Sequence, residues 1–214
     1  MQIEAVLLDL DGTLVDSLGD LGSSVNHVLT ALGLPTHSID SYRLRIGDGS
    51  RTMISRALPE NRQEFLDQAV ESFQNYYRAH CLDQTRIYPG IDSLLDQLKE
   101  RRYPMAIFTN KPHALTTHIV ENLFPSGLFD TCLGQQDDFP KKPDPTGALS
   151  IAETLNCRPE CTLFLGDSAI DMHTATAAGM VPVGATWGFR SRNELIESGA
   201  KHIINNPHEL LDLI

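Results

Sequence analysis

Short apolar runs that break off into polar residues, with helical patterns between them, constrain this chain more than any other feature. Residues 3–10 read Ile-Glu-Ala-Val-Leu-Leu-Asp-Leu and break into Asp11-Gly12. Residues 105–108 end in Thr109-Asn110, 162–165 in Gly166-Asp167, 181–185 in Thr186, and 202–204 in Asn205-Asn206. Apolar runs this short suit strands buried on both faces. Helical patterns fall between them at 91–102, 113–123, 146–156, 170–178 and 192–198. Strands alternating with helices predict an α/β fold with a Rossmann-like parallel sheet. Such sheets bind ligands beyond the carboxyl ends of their strands, and the polar residues fall at those ends.

The alternation is interrupted once. Residues 17–83 read as helical throughout, at 18–32, 41–46, 50–58 and 60–80, punctuated by Pro35, Pro59, Gly47 and Gly49. The expected division is an α/β catalytic core of residues 1–16 and 84–214 with an inserted all-helical cap domain at 17–83. No internal repeat or low-complexity segment is visible.

Charge and cysteine usage narrow the classes. The net charge is −11, with no block of Lys and Arg. A nucleic-acid partner or an anionic membrane surface is therefore not expected, since both ask for a basic footprint. An anionic substrate would instead need a local cationic element, a metal ion or a few basic residues. Cys157 and Cys161 form a C-x3-C pair without two further ligands at zinc spacing, so Cys81, Cys132, Cys157 and Cys161 are expected to be free thiols. The sequence opens Met-Gln-Ile-Glu, unlike a signal peptide, and its longest uncharged stretch, 172–189, is broken by glycines and a proline. A cytoplasmic setting follows as the expectation, and the oligomeric state is not legible.

Asp9 and Asp11 lie two apart at a strand end, so their side chains share a side. Two carboxylates there repel unless a cation or a shared proton intervenes. Hard oxygen donors and room for a substrate phosphate favour Mg2+. Gly12 lets the backbone approach a ligand closely, and Thr13 adds a hydroxyl. A solvated Asp-Gly turn is the plain alternative. A calcium loop fits poorly, because its sixth position is Leu14 instead of glycine and a strand precedes it. Thr109 and Asn110 offer a hydroxyl and a backbone N–H. Lys142, between Lys141 and Pro143, offers a fixed positive charge. Asp167 closes a strand, and Asp171 follows four residues on, in the first helical turn. Each element alone reads as a turn, a surface lysine or a helix cap. Together they set four carboxylates, a hydroxyl and a lysine at neighbouring strand ends, which is what phosphoryl transfer requires.

Asp9-Leu10-Asp11-Gly12-Thr13, Phe108-Thr109-Asn110-Lys111, Lys142-Pro143-Asp144-Pro145 and Gly166-Asp167-Ser168-Ala169-Ile170-Asp171 resemble, in order, the four motifs of the haloacid dehalogenase superfamily. Together they cover nearly the whole chain. Within it the chain is most similar to phosphoglycolate phosphatases, through residues 29–35 and 45–50, Thr186-Trp187-Gly188-Phe189 and residues 206–210. The resemblance implies that Asp9 attacks phosphorus, that Asp11 serves as general acid and base, and that Thr109 and the Asn110 amide hold phosphoryl oxygens. It implies that Lys142 neutralises Asp9 and the phosphate. Mg2+ would be held by Asp9, the Asp11 carbonyl and Asp167, with Asp171 either a ligand or a supporting partner. The substrate would be a small phosphorylated metabolite.

Rivals on the same fold differ at identifiable residues. A dehalogenase lacks the second aspartate, here Asp11. A phosphonatase needs a cap lysine, and no lysine precedes Lys99. A hexose-phosphate mutase, a sugar-phosphate phosphatase and a pyrophosphatase stay open. A non-catalytic binding module would usually lack an essential residue, and none is missing. The Gly47-Asp48-Gly49 loop, flanked by Arg45 and Arg51, is expected to face the active site, with Arg51 taking a substrate carboxylate. A solvated helix face is the alternative for both arginines.

Overall fold

The computed structural model describes residues 2–136 and 139–214; Met1, which opens the expected core, lies outside them. The elements in chain order begin with β1 (Ala5–Leu8) and β2 (Val15–Asp16). Three helices follow, α1 (Leu18–Ala31), α2 (Ser50–Ala57) and α3 (Leu66–His80), with 3-10 turns at Ile39–Leu44 and Glu60–Phe65. After β3 (Arg86–Ile87) come α4 (Ile91–Glu100), β4 (Met105–Pro112), α5 (His113–Leu123), β5 (Thr131–Gln135) and α6 (Thr146–Thr154). The chain closes with β6 (Thr162–Gly166), α7 (Ala169–Ala177), β7 (Val181–Ala185), α8 (Arg192–Glu197), β8 (His202–Ile204) and a 3-10 segment, Pro207–Leu213.

Two compact units result, Met1–Val15 with Ile87–Ile214, and Asp16–Arg86. The first unit carries a six-stranded sheet in the order β5-β4-β1-β6-β7-β8, parallel throughout. This is the expected α/β architecture. The chain leaves β1 for β4 and β5 on one side, then crosses back to β6, β7 and β8 on the other. The crossing point, where the strand order reverses, is where such sheets open a crevice. β1, β6 and β7 are buried along their whole length, as their apolar sequences require. Leu7, Ala106, Phe108 and Phe164 of the sheet pack with Ala148, Ile151 and Ala152 of α6 and with Ala175 of α7.

Within the sheet, two features depart from the sequence expectation. β5 was not anticipated: Thr-Cys-Leu-Gly-Gln is a half-exposed edge strand with no continuous apolar run. β4 runs four residues beyond 108, through Thr109, Asn110 and Lys111, with its register against β5 shifting between Phe108 and Pro112. Such irregularities re-aim side chains.

The second unit is helical between the short strands at its ends. α1 stops at Gly33 (φ 68°), where Leu34 N–H bonds Leu29 C=O at 2.8 Å, a closing turn that glycine favours. Residues 60–80, expected as one helix, break at Arg62 (φ −131°). The Gln63 side chain turns back onto the C=O of Ser55 (3.1 Å) and Leu58 (3.3 Å), and accepts from the Ser55 hydroxyl at 3.0 Å. Such local bonds compete with helix. Residues 41–46 likewise hold no α-helix: 41–44 lie in the 3-10 turn Ile39–Leu44, and 45–46 follow it. Asn26 bonds both backbone groups of His37 and accepts from the Tyr42 hydroxyl, pinning the loop after α1. Among the described residues no helix is long and apolar enough to cross a membrane.

Asp20, in the first turn of α1 and 2% exposed, accepts from Gln84 N–H (2.9 Å), Thr85 N–H (2.8 Å) and the Thr85 hydroxyl (2.7 Å). One carboxylate thus ties the start of the unit to its end. Asp20→Ala orphans three donors, two of them on Thr85, which is itself fully buried. It should lower unfolding stability by roughly 3 kcal/mol, read from the urea midpoint.

Candidate active site

Asp9 follows β1 directly, its N–H still bonded to Leu165 C=O at 2.9 Å. The chain then doubles back: Leu10 C=O accepts from the N–H groups of Thr13, Leu14 and Val15, and Gly12 N–H bonds Val15 C=O. Gly12 sits at φ 90°, and a Cβ there would collide with the Asp167 carboxylate. Only glycine serves at this bend.

Lys142 lies at the centre. Its side chain is 2% exposed, and its Nζ donates to Asp9 Oδ1 at 2.8 Å and to Asp171 Oδ1 at 2.6 Å. The ammonium also stands 5.7 Å from the Phe108 ring centroid and 5.5 Å from that of Phe164, a cation–π placement. The Asn110 side chain fixes the loop that presents it. Asn110 Nδ2 donates to Lys142 C=O at 3.0 Å, and Lys142 N–H donates to Asn110 Oδ1 at 2.8 Å. The Lys142–Pro143 peptide is cis.

Asp171 has both oxygens engaged, Oδ1 by Lys142 and Oδ2 by the Ser168 N–H (3.1 Å) and hydroxyl (2.6 Å). This is the capping box of α7. Asp167 Oδ1 accepts from the Thr13 hydroxyl at 3.4 Å, and Oδ2 from Phe189 N–H at 2.6 Å. Trp187 Nε1 donates to Thr13 C=O at 3.0 Å. Thr109, 3% exposed, accepts from Lys111 N–H at 3.3 Å. Asp11 turns its carboxylate to Lys111, whose Nζ lies 3.0 Å from both oxygens.

Burial pushes the Asp9 carboxyl up to about 6; the Lys142 charge opposes this and the Asp171 charge adds to it. Burial, then the Asp171 and Asp9 charges, hold Asp167 well above the usual carboxylate range. Burial works against the Lys142 charge, but Asp171 and Asp9 outweigh it and hold the lysine above its ordinary range. Asp9, Asp11 and Asp171 are bonded to two ammonium groups and Asp167 to none, so the buried crevice holds more carboxylates than lysines. Oxygen atoms of Asp9, Asp167 and Asp171 all lie within 4.8 Å of one another. This all-oxygen donor set fits a hard divalent cation, and such a cation would reverse the upward push on the carboxylates. Asp171 is taken up by the Lys142 ammonium at 2.6 Å and by the capping box of α7, whereas Asp167 meets no ammonium, so Asp9 and Asp167 are the better placed side-chain donors.

Asp9, Asp11, Gly12, Thr109, Asn110, Lys142, Asp167 and Asp171 all belong to the first unit. Gly47 and Arg51 belong to the helical unit, where Arg51 is exposed and paired with Asp67 at 2.7 Å. Sequence reasoning quoted Lys111 without giving it a part, and assigned Asn110 only its amide. The signal for Lys111 was its spacing, two from Thr109 on one strand and so on the same side. The part played by Phe189 N–H had no sequence signal, because any residue supplies that group.

Residues 6–185 match the family model described as haloacid dehalogenase-like hydrolase. The chain is 31% identical over 222 residues to the phosphoglycolate phosphatase of Psychrobacter arcticus, covering 100% of this chain and 96% of that protein. It is 32% identical over 212 residues to that of Aquifex aeolicus, covering 99% and 97%. Among solved structures it is similar to a candidate phosphoglycolate phosphatase from Lactobacillus delbrueckii, with a TM-score of 0.94, 28% identity and coverage of 100% and 99%. It is also similar to a haloacid dehalogenase-like hydrolase from Streptococcus pneumoniae, with a TM-score of 0.89, 26% identity and coverage of 99% and 98%. A family model spanning most of the chain, relatives aligned over nearly their full length and a buried carboxylate–lysine cluster at the strand ends agree: this chain belongs to the haloacid dehalogenase-like hydrolase family.

Proposed function

We propose that this enzyme is a phosphatase that hydrolyses phosphomonoesters of small metabolites through a phosphoaspartate on Asp9, with 2-phosphoglycolate as the leading substrate. The observation that carries the reading is the pairing of Asp9 with Lys142 at a buried strand end. One Asp9 oxygen is held at 2.8 Å by the ammonium, and the other is left to attack. A carboxylate is a poor nucleophile, so rate must come from in-line placement and charge cancellation.

In the first step an Asp9 oxygen bonds to phosphorus as the ester P–O bond breaks, and the leaving oxygen takes a proton from Asp11. In the second, water attacks phosphorus and gives a proton to Asp11, and the Asp9 carboxylate is released with inorganic phosphate. Thr109 and the Asn110 N–H are assigned to the phosphoryl oxygens, and Lys142 to charge neutralisation. Asp9, the Asp11 carbonyl and Asp167 are assigned to Mg2+, which when bound offsets negative charge on the phosphoryl group. Asp171 is assigned to positioning Lys142.

Substrate choice is assigned to the helical unit, around Gly47 and Arg51. Gly47 (φ 123°) and Gly49 (φ 89°) lead into the N-terminus of α2, which has no side-chain cap. Free N–H groups at such an end favour an anion. The exposed Arg51–Asp67 pair is worth little, so a substrate carboxylate can replace Asp67. The names of the relatives support 2-phosphoglycolate over other esters. The absence of any lysine before Lys99 disfavours a mutase that must grip a second phosphate.

Phosphate release should depend on Mg2+ and be removed by EDTA, with 2-phosphoglycolate preferred over hexose phosphates, nucleotides and pyrophosphate. Another preferred ester would keep the chemistry and discard the substrate; no release from any ester would discard both. Asp9→Asn should abolish turnover, and an active Asp9→Asn would end the covalent mechanism. Arg51→Ala should raise KM for 2-phosphoglycolate at least severalfold with little change for an ester lacking a carboxylate. An unchanged KM would remove Arg51 from the site.

A further inference from the structure

Lys111 is a buried cation that the reaction above does not use. Its side chain is 3% exposed, and its Nζ is 3.0 Å from each oxygen of Asp11, itself 13% exposed on the side chain. A single ammonium holding both oxygens restricts the carboxylate far more than one hydrogen bond would. The backbone beneath it is fixed too. Lys111 N–H donates to the Thr109 hydroxyl, and Lys111 C=O accepts from the Thr116 hydroxyl at 3.2 Å. Gly134 of β5 packs so closely that a Cβ there would strike Lys111 C=O. Asp11 needs such a partner. Its charge is close enough to raise the Asp9 carboxyl; without a counter-charge, repulsion would turn it away from the reacting centre.

We propose that Lys111 is a positioning residue for the second half of the reaction. Its hold on both Asp11 oxygens orients that carboxylate to take the proton from the water that cleaves phosphorylated Asp9. This rests on the phosphatase reading. What Lys111 contributes is orientation, and with a leaving group that needs no proton only the second step draws on Asp11. In the second step the water oxygen bonds to phosphorus, and the P–O bond to Asp9 breaks with its electron pair returning to the carboxylate. The water proton passes to Asp11.

The test uses para-nitrophenyl phosphate, whose leaving group needs no proton, so the first step proceeds without acid help. In Lys111→Met, kcat should fall about 10²-fold, and KM should fall by a similar factor because kcat/KM reports only the first step. A burst of about one nitrophenolate per active site should precede slow turnover. Lys111→Arg should recover most of kcat and lose the burst. Lys111→Gln stands in if Lys111→Met does not fold. A lowered kcat with unchanged KM and no burst would overturn the proposal, as would unchanged kinetics. The phosphatase reading is judged separately. It fails if the unaltered enzyme releases no phosphate, and its covalent form fails if the burst persists when Asp9→Asn is added.

Discussion

The arrangement at the strand ends depends on the balance of charge around Lys142. Four carboxylates converge where burial already disfavours ionisation, and each raises the cost of ionising the next. Lys142 bridges Asp9 and Asp171 directly, and its own charge is sustained by those two neighbours against burial. Neither partner is stable as an ion there without the other. Much of the surrounding structure serves this pairing. Asn110 grips the Lys142 backbone on both sides, Ser168 holds the far oxygen of Asp171, and Phe108 and Phe164 underlie the ammonium.

The sheet order explains why these groups meet. β1 lies between β4 and β6, so the residues that follow β1, the end of β4 and the residues that follow β6 become neighbours although more than fifty residues separate each pair along the chain. Glycine is then required where backbone and carboxylate crowd each other. A Cβ at Gly12 or Gly188 would strike Asp167, and one at Gly166 would strike Asp171. The cluster holds more carboxylates than lysines, an all-oxygen donor set of the kind a divalent cation completes.

The parts of the fold that sequence revealed were those with strong periodicity. Continuous apolar runs marked β1, β6 and β7, because buried parallel strands must be apolar on both faces. β5 escaped because an edge strand needs no such run. The break at Arg62 escaped because helical periodicity continues across it, while Gln63 spends its hydrogen bonds on the end of α2. The part played by Asp20 was not legible, because its bonds to Gln84 and Thr85 join positions far apart in the chain. Lys111 was passed over because a lysine after Thr-Asn has no local mark that separates it from a surface lysine.

The sequence by itself determined the α/β class, the helical insertion and the chemical types at the strand ends, since apolar run length, helical period and carboxylate spacing are local properties. The tertiary structure decided which charges meet. It placed Lys142 between Asp9 and Asp171, turned Asp11 to Lys111, and gave the Asn110 side chain to the Lys142 loop. Those pairings depend on strand order and on backbone bends that bring distant segments within three ångströms, and no spacing along the chain encodes such distances.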